Sequence, residues 1–411
     1  MAAPHSTGRG PSSGPVGRAS LRAARVCSRP VAQTPQKLAL VLSGGGARSA
    51  YQVGVLRQLG RLRPNLAVDI LTGVSAGAIN AAHLAQSRTD FGRAAAELAQ
   101  VWLDIAIEDV IDANSSSLAG NALRWGLRLV SGGRRTATPA RGLVDTGPLG
   151  NLLERVLETD ASGALLGVEE NLREGRLRAL AITGTNYGTG RAVTWVQGAD
   201  IELWERPDRT SRRARIAVPH IMASAALPLL FPAVELGGEW YGDGGIRLAA
   251  PLAPAIHLGA DRLLAISTRY PRTPSDLAEP ATRGYPAPAQ IAGNLLNAIF
   301  LDLLDQDAMH LERINGLIAR CPGPEIFRRV ALLVIRPSTD LGRLANHYEA
   351  RLPRGLRFMT RGLGTRESRS NDLLSLIMFQ NDYLAQLVEL GERDALANQS
   401  VLLAFVDGAS A

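Results

Sequence analysis

Cysteine is almost missing from this chain of 411 residues. Cys27 and Cys321 are the only two, far apart and outside any Cys-x-x-Cys spacing. That excludes a disulfide framework and a cysteine-based structural zinc site, and it makes a reducing, cytoplasmic setting the expectation. Lysine is rarer still: Lys37 stands alone among many arginines, a bias that follows coding composition and carries no functional weight. No apolar run approaches the roughly 18 residues that span a bilayer, so no transmembrane helix is expected. Acid is absent from residues 1–37, which carry Arg9, Arg18, Arg22, Arg25, Arg29 and Lys37. The rest of the chain keeps 39 of the 45 basic residues against all 38 acidic ones, so all but one unit of the net charge of +7 belongs to the N-terminal end. A nucleic-acid-binding body would show a basic face interleaved with aromatics, and this balance argues against one.

A hydrophobic share of 46% and a charged share of 20% are those of a globular protein with a substantial core. Residues 1–36 are rich in Gly, Pro, Ser, Ala and Arg without apolar periodicity, and they read as a disordered leader. The leader shares its Arg-rich, acid-free character with organelle transit peptides, but its Pro and Gly residues break any long amphipathic helix, and it has no secretory apolar region.

Two stretches carry chemistry. In Asp69-Ile70-Leu71-Thr72-Gly73-Val74-Ser75-Ala76-Gly77-Ala78-Ile79-Asn80, an apolar strand-like run meets a Gly-x-Ser-x-Gly pentapeptide and then an Ala-rich helix-like run. That is the pattern of a nucleophile elbow, which holds a serine hydroxyl exposed at a tight strand-to-helix turn. Gly73 and Gly77 allow the turn, and the N–H of Ala76 is the usual first donor to a developing oxyanion. Upstream, the apolar run 37–43 leads into Gly44-Gly45-Gly46-Ala47-Arg48 and a helix-like segment over 50–59. Glycines between a strand and a helix leave backbone N–H groups uncovered, a site for a phosphate or an oxyanion. No Gly-Lys-Ser/Thr follows, and Ser49 stands where a dinucleotide fingerprint wants glycine.

The spacing predicts an amphipathic helix over 90–108 and a helix start at Asp145 or Thr146 with Pro148 in its first turn. Strands are expected over 177–183, 192–196 and 261–268, and 234–241 reads as a hairpin turning at Gly237-Gly238 and delivering Asp243. Arg124 to Arg141 is an acid-free stretch holding Trp125, a solvated loop or a surface for anionic headgroups. After a Pro-rich connection over 271–288, the pattern predicts helices over 291–304 and 373–388 with one strand at 330–335 between them.

The order strand, GGGAR, helix, strand, GVSAG, helix and then Asp243-Gly244-Gly245 resembles the patatin-like phospholipase family over roughly residues 37–270. The resemblance implies a three-layer α/β fold with a largely parallel central sheet flanked by helices. It implies Ser75 as nucleophile, Asp243 as base, an oxyanion hole from Gly44, Gly45, Gly46, Ala47 and Arg48 with Ala76, and support from Gly244 and Gly245. Ser49 departs from the glycine that usually opens the helix. The expected organisation is a leader over 1–36, a catalytic domain over 37–270 and a mainly helical C-terminal extension over 271–411 packed on the core. The expected activity is serine acyl hydrolysis of membrane lipids or other lipid esters, of phospholipase A or carboxylesterase type. No metal or cofactor is implied; the alternative of peripheral contact with anionic membrane comes from the Arg124–Arg141 stretch and not from the resemblance. The rivals are a lipid-binding scaffold without turnover, a thioesterase, and a triad hydrolase using His257.

Overall fold

The computed structural model describes residues 36–112, 142–272, 285–300, 302–320, 328–362 and 371–408, with Gly120, Arg124, Gly364 and Thr365 between them. The expected leader, the Arg124–Arg141 stretch and the middle of the Pro-rich connection fall outside the described residues, except for Gln36 and Arg124.

Nine strands occur among the described residues: β1 (Leu38–Leu42), β2 (Ile70–Val74), β3 (Ala179–Asn186), β4 (Ala192–Gly198), β5 (Arg209–Arg213), β6 (Val234–Leu236), β7 (Glu239–Asp243), β8 (Arg262–Ile266) and β9 (Ala331–Ile335). Along β1, Leu38, Leu40 and Leu42 face one buried cluster, while Ala39 and Val41 face another. A strand apolar on both faces fits only inside a sheet covered by helices on both sides, which is the setting of parallel sheets. The sheet runs β5-β4-β3-β2-β1-β8-β9, and every pairing from β3 to β9 is parallel. β5 closes one edge with the sequence RTSRR, whose arginines keep that edge from recruiting another strand. The sheet does not stop at residue 270, because β9 pairs with β8 along its whole length.

The helices are α1 (Ala50–Leu62), α2 (Ala76–Gln86), α3 (Phe91–Asp104), α4 (Gly147–Val156), α5 (Leu166–Arg173), α6 (Val218–Ser224), α7 (Ala253–His257), α8 (Pro288–Phe300), α9 (Asp302–Arg320), α10 (Leu341–Ala345), α11 (Arg354–Gly362), α12 (Asp372–Ile377), α13 (Asn381–Ala397) and α14 (Gln399–Val406). α1, α2, α3 and α13 cover the Leu40 face, and α7 and α9 cover the Val41 face. This is a three-layer α/β architecture. Among the described residues no helix is long and apolar enough to cross a membrane.

Two expected helices end early or divide. Asp90 caps α3 by accepting the Arg93 N–H at 2.9 Å, but the helix stops at Asp104 because Ile105 turns extended, and Ile107–Asp109 form a separate short turn. The 373–388 pattern is two helices, broken at Met378, which stays buried across the break. A hydrophobic period cannot register a break that leaves the buried face buried. At the other capping position Asp145 Oδ1, not Thr146, takes the Gly147 N–H. The β6–β7 hairpin turns at Gly237 and Gly238 with φ of 60° and 81°, the positive pair that a two-residue type I′ turn needs.

Candidate active site

β2 delivers the chain to the C-terminal edge of the sheet, the edge at which open α/β sheets bind ligands. There Ser75 turns into α2 with φ 56° and ψ −132°, a conformation that a residue with a Cβ holds only when its surroundings impose it. A buried hydroxyl is bonded to the turn here. The Ser75 N–H donates to Ser224 Oγ at 3.0 Å, and Ser224 Oγ donates to the Thr183 carbonyl at 2.7 Å. Sequence reasoning missed Ser224, because a serine at the end of a small-residue helix belongs to no motif.

Strand register brings the carboxylate to the serine. β4 occupies one edge of β3 through residues 179–185, and on the other edge β2 pairs as far as Val74 opposite Thr183. β7 takes over that edge with Asp243 opposite Gly184. Ser75 and Asp243 therefore meet head-on where one strand ends and the other arrives. Asp243 is fully buried; its N–H donates to the Ala226 carbonyl at 2.9 Å and its carbonyl accepts Thr185 Oγ1 at 2.8 Å. Oδ1 accepts the Gly245 N–H at 2.9 Å.

Burial pushes the Asp243 carboxyl up to about 7, while the Ser75 hydroxyl and the Gly245 N–H pull it down. The hydroxyl is near enough to matter electrostatically, yet buried Oδ2 meets no donor at hydrogen-bonding geometry among the described residues. Contacts of this kind tighten when substrate arrives.

Ser75 opens on a narrow cavity of about 50 Å³ lined by Gly45, Gly46 and Ala76 and otherwise by apolar side chains, Trp102, Phe231, Phe300 and Phe379 among them. Gly44 is stacked against the serine, where an added Cβ would stand 3.0 Å from Ser75 Cβ. Gly73 and Gly77 flank the turn, and Gly244 and Gly245 follow Asp243 in a short turn. Ala47 and Arg48 do not line this cavity. The Arg48 N–H is spent on the Gly45 carbonyl at 3.0 Å, and its guanidinium, 3% exposed, lies against α12. The expected place of Arg48 in the oxyanion hole is thus not where its groups point.

A buried polar chain holds the turn, the elbow helix and the cavity wall together. Gln52 Nε2 donates to the Ser43 carbonyl at 2.8 Å, Asn80 Nδ2 to Gln52 Oε1 at 3.1 Å, and Trp102 Nε1 to Asn80 Oδ1 at 2.7 Å. Among the described residues no histidine lines the cavity. His257 stacks on Trp204 with ring centroids 4.8 Å apart and belongs to the opposite helical layer, so the structure does not bring it to Ser75. His220 accepts the Ala217 N–H and meets the edge of Trp195.

A largely parallel sheet with helices on both faces and a serine on the strand-to-helix turn defines a three-layer α/β protein. Residues 40–256, more than half of the chain, match the family model described as patatin-like phospholipase, and the chain belongs to that family. In structure it is similar to human GIVD cytosolic phospholipase A2, at 12% identity and a TM-score of 0.44, covering 90% of this chain and 60% of that one. It is similar also to VipD from Legionella pneumophila, at 14% identity and a TM-score of 0.32, covering 87% of this chain and 67% of that one. A third is the type III effector protein ExoU, at 16% identity and a TM-score of 0.27, covering 84% of this chain and 77% of that one. The chain spans about three fifths of the length of the human enzyme. Among curated protein sequences none matches.

Proposed function

We propose that the protein is a serine lipid acyl hydrolase in which Ser75 is the nucleophile and Asp243 the base. Ser75 Oγ forms a bond to the ester carbonyl carbon while its proton passes to Asp243 Oδ2. The N–H groups of Ala76 and of the glycine turn at Gly45 and Gly46 hold the oxyanion. Collapse breaks the bond to the alcohol, which leaves with the proton from Asp243. Water then attacks the acyl carbon while Asp243 takes its proton, the bond to Ser75 Oγ breaks as Asp243 returns the proton to Oγ, and the fatty acid is released. A carboxylate of ordinary pKa is a poor base, and the burial that pushes Asp243 to about 7 makes it an effective one near neutral pH.

The observation that carries the reading is the pairing of a serine on a positive-φ turn with an unsatisfied buried carboxylate oxygen, at the head of a cavity with an apolar wall. That wall suits a fatty-acyl chain, and family membership supports a lipid ester as substrate. Contact with anionic membrane rests on the composition of residues 124–141. Purified protein given mixed phospholipid vesicles and neutral esters should release free fatty acid, and Ser75→Ala should lower the rate about a thousandfold or more. Undiminished release by the alanine variant would remove Ser75 from the chemistry.

A further inference from the structure

The family match ends at residue 256, yet one wall of the Ser75 cavity comes from more than a hundred residues downstream, from Leu376, Ile377 and Phe379. The glycine turn is enclosed between that wall and the serine. On one side Gly44 touches Ser75. On the other a Cβ on Gly46, whose φ is 53°, would stand 2.2 Å from the Leu376 carbonyl oxygen. Turn and wall are joined by Arg48. Its Nε donates to Ser375 Oγ at 2.6 Å, and its Nη2 donates to the Asp372 carboxylate at 2.7 Å and to the Asp372 carbonyl at 3.1 Å. Ser375 Oγ in turn donates to the Asp372 carbonyl at 2.7 Å. These side chains are buried, so the contacts are shielded from water and salt. The guanidinium borders a separate polar cavity of about 260 Å³ on the far side of the turn, shared with Thr268, Arg269, Arg272 and Asp340.

We propose that Arg48 is a positioning residue: locked to Asp372 and Ser375, it fixes the glycine turn against α12, so that the N–H groups of Gly45 and Gly46 face the carbonyl attacked by Ser75. An arginine directly after a glycine turn invites a role on the substrate, as an oxyanion donor or an anionic-headgroup ligand. The geometry points elsewhere, since three of its bonds end on α12 and none of its atoms lines the Ser75 cavity. The site is then incomplete without residues 371–379. This inference rests on the acyl-hydrolase reading above.

Arg48→Lys, Asp372→Asn and Ser375→Ala separate the two roles, measured on a short neutral ester and on an anionic phospholipid. A misplaced donor costs rate about equally for any ester, so each variant should lower kcat by about tenfold to a hundredfold on both substrates, with KM within about threefold. Because the residues act as one unit, Arg48→Lys combined with Asp372→Asn should be no worse than the poorer single variant. Ser375→Ala removes one of the three bonds that Arg48 makes to α12, together with the bond from Ser375 to the Asp372 carbonyl, and strands no charge, which keeps the test open if Asp372→Asn does not fold. Loss confined to the phospholipid in Arg48→Lys, with Ser375→Ala at parental rates, would overturn the proposal in favour of headgroup contact. Full activity in all three variants would overturn it outright. No turnover of either ester by the parent protein would instead strike down the acyl-hydrolase reading, a result distinguishable from both.

Discussion

At the scale of the residue, Asp243 concentrates the conflict between folding and chemistry. A carboxylate without full hydrogen bonding in an apolar interior destabilises the native state once it ionises, because burial disfavours the charged form. Its pKa is raised from 3.8 to about 7, so its contribution to stability is present below about pH 4 and is lost as pH rises through about 7. Asp243→Asn removes the ionisation. Its melting temperature relative to the parent should therefore be higher at pH 8 than at pH 5, although hydrolysis falls about a hundredfold or more. A melting difference independent of pH would mean that Asp243 is not the group titrating near 7. For the parent, kcat/KM on a non-ionisable ester should climb with pH to about 7 and then level, since the base proposed for the free enzyme is the ionised carboxylate. A profile flat from pH 5 to 9 would contradict that role.

At the scale of the element, the site is made by a strand end, a hairpin and a helix end converging on β3. Ser224 is the joint among them, and Ser224→Ala leaves the Ser75 N–H and the Thr183 carbonyl without their partner in a buried place. The expected loss is about 1–3 kcal/mol in urea unfolding, with slower hydrolysis as the turn relaxes. Unchanged stability and rate would show that the positive-φ turn holds without that bond. The strand, glycine turn, elbow and hairpin were legible in the sequence because each has a local signature: an apolar run, three glycines, a pentapeptide, a Gly-Gly pair. What the signatures could not carry is sideways placement. Nothing local says that β7 continues the edge left by β2, that Ser224 reaches the back of Ser75, or that Asn80 joins Trp102 to Gln52. Arg48 is the sharpest case. The motif placed it correctly beside the turn, but the direction of its guanidinium was decided by Asp372 and Ser375, more than three hundred residues away in the chain.

At the scale of the whole molecule, the C-terminal third was expected as helices packed on the core, but its periodicity does not say which parts of the core they cover. In the structure α13 lies on α1, β9 extends the sheet and α12 walls the cavity, so these residues share the core with the segment that matches the family model. A chain ending at residue 270 would expose the covered face of α1 and leave β8 with an unpaired edge, both hazards for solubility. It should fail to give a cooperative melting transition by circular dichroism. A transition matching that of the full chain would show that the later residues are dispensable for folding. Whether Ser75 is a nucleophile facing an acyl site is decided by mass spectrometry after exposure to a lipid-like fluorophosphonate. One adduct is expected, on Ser75, formed by the parent and absent from Ser75→Ala. A folded parent protein left unlabelled at Ser75, or labelled at another serine while still hydrolysing ester, would contradict it.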